Sequence, residues 1–497
     1  MTAKAAQPGA TPRQTTPGEP VNRGTGTQAG TGAPRAKAPA GPGVRASSWL
    51  AVAATMFAVA WGGNEFTPLL VMYRNSGEFS PVAVDGMLAA YVFGIVPAML
   101  IGGPLSDRHG RRPLLLPAAP AALIGSLIIA LTPNSEIGMI IGRIFCGIAL
   151  GLVMAIGSTW IKELSDAAGA GTAAGAKRAS MSLTLGFLAG AGVAAVLAQF
   201  APLPQHLPYI LHMAITVVTG LWLLSVPETR RAGVAGTSAA ESTGTRGAAA
   251  GADAPARRSL WQDLKVPKMK HKRFLLVVLP AAPWVFGAAA SAYAVLPGLL
   301  SDSAGNYPIA FAGLITVVTL GFGVGIQSLG PVIDTRRSAR ATVIGMCCVV
   351  AGLALTIPAA STLSLALGLL AAVVLGMGYG LTLVSGLSEV QRIAGPDDLA
   401  GLNAVFYALT YVGFFVPMML AWAHTWLSYP QMFLGGLVLA VICLVIVACA
   451  WRRHLPGARV PADAKYLQNG GADGAGAQGG ASAPEAPNPT VGEAGAA

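Results

Sequence analysis

Apolar residues gather in long runs along this chain, and polar residues are confined to the breaks between them. A run of about 20 residues spans the roughly 30 Å hydrocarbon core of a bilayer as a helix. Such runs cover 49–72, 82–102, 113–132, 137–160, 180–200 and 207–226, then 274–299, 308–332, 341–360, 362–387, 399–423 and 430–450. The pattern predicts twelve transmembrane helices, six plus six. The expected regions are a disordered tail over 1–46, a first bundle over 47–227, a linker over 228–273, a second bundle over 274–452 and a second tail over 453–497. Both tails are rich in Ala and Gly and lack apolar periodicity. No apolar core precedes Trp49, so a signal peptide is not expected. Within the linker, the stretch to Ala254 reads as flexible. The basic stretch from Leu260 to Arg273 is either a surface-lying amphipathic segment or a plain positive loop.

Composition agrees with a membrane fold. The chain is 54% hydrophobic and 11% charged, against about 25% charged in soluble domains. This is an all-α integral membrane protein in a lipid bilayer. The net charge of +11 does not point to nucleic acid, because the basic residues lie in loops between apolar runs. Counting Lys and Arg gives six in the first tail, then three, three, ten, three and one in alternate loops, and four in the last tail. By the positive-inside rule both termini are cytoplasmic. Of the other two basic residues, Arg74 is expected in the first outer loop and Arg143 inside the fourth helix. The five cysteines lie in apolar runs without ligand spacing, and the six histidines are scattered over both sides of the membrane. No phosphate-binding Gly-x-x-x-x-Gly-Lys-[Ser/Thr] loop occurs. No cofactor, metal or enzymatic activity is expected.

The loop after the second run reads Gly-Pro-Leu-Ser-Asp-Arg-His-Gly-Arg-Arg from Gly103 to Arg112. A weaker echo, Gly-Pro-Val-Ile-Asp-Thr-Arg-Arg, starts 227 residues later (330 − 103) at Gly330. An element recurring at the same place in two halves implies a duplicated fold. The first copy resembles the signature Gly-x-Leu-x-Asp-Arg-x-Gly-Arg-Arg of the major facilitator superfamily of transporters, matching at Gly103, Leu105, Asp107, Arg108, Gly110, Arg111 and Arg112. The second copy keeps Gly330 and Asp334. In mechanical terms Gly103 would let the second helix approach a neighbour and Gly110 would allow the turn. Asp107 would face the start of the eleventh helix at Gly395–Asp398, and Arg108, Arg111 and Arg112 would meet Glu163. The resemblance implies that such contacts clamp the halves together on the cytoplasmic side. The plainer alternative is a charge cluster that only holds the loop inside.

Glu65 reads as the only acid well inside any helix of the first half, in Trp61-Gly-Gly-Asn64-Glu65-Phe-Thr-Pro68. A carboxylate at that depth costs about 2.5–3.5 kcal/mol on the lenient insertion scale and needs a partner or a water-filled cavity. Arg143 lies at a similar depth, since both residues sit about 7–8 Å from the midpoints of their runs on the same side. A Glu65–Arg143 pair, or a shared water network, facing a central cavity is therefore expected. It would act as a proton or substrate switch, or simply lock two helices together. The matching positions of the second half are Ala294 and Ala372, so the ionisable groups are expected in the first half alone. Asn403, Tyr407, Tyr411 and Phe414 share one face of the eleventh helix, and Tyr293 is a weaker candidate of the same kind. Substrate contact and plain packing both account for this stripe.

Arg143 with its spaced glycines, and Gly63-Asn64-Glu65 before Pro68, resemble the proton-coupled multidrug and chloramphenicol exporters of the superfamily. The fifth run keeps their glycine framework at Gly186, Gly190 and Gly192 but has Ala191 where they carry proline. The resemblance implies alternating access, a small-molecule substrate, protons as the coupling ion and a monomer. Three readings stay open: proton-coupled efflux of hydrophobic or amphipathic compounds, proton-coupled uptake of a small metabolite, and a non-transporting sensor. The Arg-, Ala- and Gly-rich composition fits a bacterial inner membrane.

Overall fold

A computed structural model describes residues 47–229, 267–334, 338–394 and 399–453. The expected disordered tails, most of the linker and the Gly395–Asp398 helix start lie outside the described residues. Helix α1 comes in two pieces, Ser48–Asn64 and Phe66–Asn75. Then follow α2 (Pro81–His109), α3 (Arg111–Leu131), α4 (Glu136–Ala167), α5 (Thr172–Phe200) and α6 (Leu207–Leu223). The second half holds α7 (Phe274–Leu299), α8 (Pro308–Gln327), α9 (Arg340–Thr362), α10 (Leu365–Ile393), α11 (Gly401–Ala423) and α12 (Tyr429–Ala450). Among the described residues ten helices are long and apolar enough to cross a membrane; α6 is apolar but shorter, and α1 is interrupted at Glu65.

Local chemistry sets the ends. Ser80 caps α2 by accepting from the Ala83 N–H at 3.1 Å, with Pro81 in the first turn. Ser135 caps α4 and Ser364 caps α10 in the same way. Ser428 and Gln431 form a capping box on α12. Pro68 lacks the N–H that would bond the Asn64 carbonyl, and α1 breaks there. Gly110 ends α2 at φ +99°, in the region that glycine tolerates. Several helices run past their apolar stretches, α2 to His109, α4 to Ala167 and α10 to Ile393. Hydropathy reads the depth of the hydrocarbon, whereas backbone hydrogen bonding continues beyond it.

Two six-helix bundles are related by an internal repeat that the backbone shows directly. In the first, a Cβ on Gly94 would stand 2.1 Å from the Ile144 carbonyl oxygen, and one on Gly151 2.5 Å from that of Ile95. The backbones of α2 and α4 therefore touch. In the second, a Cβ on Gly380 would stand 1.9 Å from the Gly323 carbonyl oxygen. Gly94 and Gly323 are 229 residues apart (323 − 94), as are Gly151 and Gly380 (380 − 151). Helices α8 and α10 thus repeat the seam of α2 and α4.

The bundles meet at the end opposite the Gly103–Arg112 hairpin. Arg74 donates to the Ala294 carbonyl oxygen at 3.0 Å, and Asn75 to Ser301 at 3.0 Å. Gln199 on α5 accepts from the first-turn N–H groups of Ile309 and Ala310 on α8, so it caps a helix of the other half. Arg74 does not lie in a loop as expected: it belongs to the last turn of α1 and is ion-paired with buried Asp85 on α2. That pairing offsets the cost of holding both charges near membrane depth.

Candidate functional site

Four groupings of polar and aromatic side chains stand out. The first surrounds Glu65, which is buried at the α1 break. Its Oε1 lies 3.3 Å from Ser126 Oγ on α3 and 3.5 Å from His212 Nδ1 on α6. His212 also faces Thr216 Oγ1 at 3.0 Å and the Ala58 carbonyl oxygen at 3.1 Å. Arg143 is buried beside this cluster, but no direct Glu65–Arg143 ion pair forms. The carboxylate is turned toward α3 and α6, while the guanidinium lies over the rings of Phe66 and Tyr91, at 4.7 and 4.2 Å. Arg143 Nη1 reaches the Gly63 carbonyl oxygen at 3.4 Å. Glu65 Oε2 and Arg143 Nε and Nη2 are buried with no protein partner. Asn64 is committed locally: it donates to the Phe187 carbonyl on α5 at 3.0 Å and accepts from Thr67 at 2.8 Å.

The second grouping is aromatic and lies between the halves. Phe286 on α7 stacks with Tyr411 at 4.7 Å and with Tyr379 at 5.9 Å, and tilts against Phe414 at 5.0 Å. Tyr411 donates to Met154 Sδ on α4 at 3.3 Å. Tyr91 meets Phe414 edge-on at 6.5 Å, and its buried hydroxyl has no partner. Tyr411 and Phe414 thus join one cluster. Tyr407 packs on Phe406 at 5.8 Å, Tyr293 is buried on α7, and the Asn403 Oδ1 is buried with no protein partner. Phe286, Tyr379 and Met154 were not foreseen, because an aromatic or Met inside an apolar run carries no sign of which way it faces.

The third grouping is ionic, at the hairpin end. Arg111 is buried and donates to Glu163 from Nε at 3.1 Å and Nη2 at 3.0 Å, to Ser106 at 2.7 Å and to Asp107 at 2.8 Å. Glu228 accepts from the backbone N–H groups of Arg111 and Arg112, at 3.0 and 2.7 Å. Arg112 turns instead to the Leu224 carbonyl at 2.8 Å, away from Glu163. Asp107 and Arg108 are exposed at the end of α2. Gly103 has nothing within 4 Å of where a Cβ would stand, so close approach is not its role here. Glu228 was legible only as the acid of Pro227-Glu228-Thr229, with no hint that it holds the hairpin.

The second half has an ionic cluster of its own at its hairpin end, around Asp334 of the second copy. Asp334 pairs with Arg392 at 3.1 Å, Arg392 pairs with Glu389, and Glu389 forks with Arg273. Arg273 and Glu389 are both fully buried. Burial pushes the Asp334 carboxyl above its ordinary value, while Arg392 pulls it back. In the sequence Arg273 reads as a loop charge and Glu389 lies just past its apolar run.

A transporter-like duplication with a charged first hairpin is now in place, and the profile of the Major Facilitator Superfamily matches residues 47–417. The chain belongs to the major facilitator superfamily. It is a multi-pass membrane transporter and not an enzyme. Among its relatives, a chloramphenicol resistance protein of Pseudomonas aeruginosa is 26% identical over 362 residues, 70% of this chain and 77% of that protein. A probable inositol transporter 2 of Arabidopsis thaliana is 31% identical over 131 residues, 26% of this chain but only 19% of that protein. The solved structure of the nucleoside transporter NupG superposes with a TM-score of 0.64 at 13% identity, covering 82% of this chain and 99% of NupG. At that identity the likeness is one of fold.

Proposed function

We propose that this facilitator exports hydrophobic or amphipathic small molecules in exchange for protons. The observation that carries the reading is the position of Tyr91. One face of its ring lies 4.2 Å from the Arg143 guanidinium, and its edge meets Phe414 at 6.5 Å. A substrate entering among Phe286, Tyr411 and Phe414 displaces Tyr91 and so moves Arg143. Arg143 in turn sets how firmly Glu65 holds its negative charge. Substrate and proton then compete through one ring. The apolar, stacking character of the cluster suits aromatic or amphipathic compounds. The long match to a chloramphenicol resistance protein supports the same direction.

With both termini in the cytoplasm, the contacts of Arg74, Asn75 and Gln199 close the outer end. The halves would then face inward, ready to load cargo from the cytoplasm. The location fits a bacterial inner membrane, and the chain would work as a monomer. A second reading, proton-coupled uptake of a small polar metabolite, draws on the inositol-transporter stretch.

Inside-out vesicles with an imposed acid-inside gradient separate the two. Under efflux, a hydrophobic compound from a test panel releases protons in wild type and not in Glu65→Gln. Should no compound do so while right-side-out vesicles accumulate a metabolite together with protons, uptake replaces efflux.

A further inference from the structure

His212 is buried among α1, α3 and α6, and the exchange described above makes no use of it. Its two ring nitrogens have unlike partners. Nε2 lies 3.1 Å from the Ala58 carbonyl oxygen, which can only accept, and 3.0 Å from Thr216 Oγ1, which can accept as well, so a hydrogen on Nε2 satisfies both. Nδ1 lies 2.7 Å from Ser126 Oγ and 3.5 Å from Glu65 Oε1. Ser126 Oγ is in turn 3.3 Å from that same carboxylate oxygen. A serine hydroxyl has one hydrogen to give. With a neutral ring, Ser126 donates to the bare Nδ1. With a charged ring, Nδ1–H donates to Ser126, and the serine hydrogen turns to Glu65. The local backbone makes room for this arrangement: a Cβ on Gly62 would stand 2.4 Å from His212 Nε2.

We propose that His212 is the second proton-holding group of the coupling site and exchanges its proton with Glu65 through Ser126. This rests on Glu65 being the coupling acid. In the transfer the Nδ1–H bond breaks and its proton passes to Ser126 Oγ, as the serine's own proton passes to Glu65 Oε1. Imidazolium and carboxylate become imidazole and carboxylic acid, and no other reactant is needed. The charged and titratable groups around the pair are Arg143 and Cys146 on α4, Tyr73 on α1, Tyr91 on α2 and Tyr209 on α6. Arg143 is the fixed positive charge among them. Because it lies on Tyr91 and Phe66 rather than on Glu65, the cation within reach of the carboxylate is His212 in its protonated form.

The test is infrared difference spectroscopy of the full chain in liposomes, without substrate, across a pH series. The carboxylic-acid stretching band lost in Glu65→Gln reports the Glu65 proton. Two coupled groups titrate in two macroscopic steps. The wild-type band is expected to show both steps, and His212→Gln and Ser126→Ala a single step. Ser126→Thr keeps the hydroxyl and is expected to restore the second step. Superimposable curves in wild type and His212→Gln overturn the proposal. If His212→Gln does not fold, the Ala and Thr variants of Ser126 decide it, and equal curves in both overturn it. Proton-linked flux in vesicles with superimposable curves removes the His212 role alone. Two-step curves that collapse in His212→Gln, with no proton-linked flux in vesicles, remove the efflux reading and leave the pair.

Discussion

The two halves share a backbone plan and differ in where they place their charges. In the first half, the groups at membrane depth are ionisable: Glu65, His212 and Arg143 are all buried, and Glu65 Oε1 lies 3.5 Å from His212 Nδ1. In the second half, the equivalents of Glu65 and Arg143 are Ala294 and Ala372, and the interior there is aromatic, built on Phe286, Tyr379 and Tyr411. At the hairpin ends the contrast takes another form. Glu163 of α4 receives Arg111 from the first hairpin. Its counterpart 229 residues on (392 − 163) is Arg392, which receives Asp334 from the second. The attraction is kept and the signs are exchanged. Duplication thus preserves an energetic relation without preserving the residues, while the deep site is free to specialise on one side only.

That contrast can be broken at several points, and the largest effect is expected at the deep site. Glu65→Gln should take proton-linked flux to background while leaving the protein folded, read in the vesicle assay. The next is a stability comparison between the two ionic clusters. Glu389→Gln strands the fully buried Arg273, at a cost of about 3–5 kcal/mol. Glu163→Gln should cost only about 1–2 kcal/mol, because the Glu163 side chain is 31% exposed. Thermal melting of the purified protein in detergent measures both, and equal losses would remove the distinction. Smaller again is Phe286→Ala, which removes three ring contacts. Binding of an aromatic amphipathic probe should weaken about tenfold, as loss of about 1–1.5 kcal/mol of ring contact implies. Calorimetric titration gives the answer, and unchanged affinity would place the binding surface elsewhere. The smallest effect is Gln199→Ala, which removes the cross-half cap on α8. It should shift the balance between closed and open outer ends by about 1 kcal/mol, roughly fivefold, in fluorescence distances across that end.

The fold was legible because membrane depth leaves a one-dimensional trace: an apolar run is visible in sequence wherever it goes. The hairpin was legible because its spacing recurs. Glu65 and Arg143 showed themselves as charges inside apolar runs, and the same logic would have found His212, five residues into the sixth run. Metal-ligand spacing, which the six histidines lack, says nothing about a single histidine as an ionisable group in a dry place. The partners of each charge were harder. Depth along a helix follows from counting, but the direction around it depends on which neighbour packs there. That is why Glu65 turns to α3 and α6 when the depth comparison offered α4. Arg273 and Glu389 escaped for a different reason. They sit at helix ends, where the sequence reads as loop and the structure is fully packed.

The glycine seams between α2 and α4, and between α8 and α10, bear on how far the molecule can move. A side chain at a contact can swing aside, but touching backbones cannot yield without breaking the helices. Each half is therefore a stiff lever, and for as long as the contacts of Arg74 and Gln199 hold they form its fulcrum. The displacement of a lever grows with distance from its pivot. A small rotation about Arg74 is multiplied along the length of the helices. The hairpin ends then travel farthest, and they are the ends that carry the densest ionic clusters.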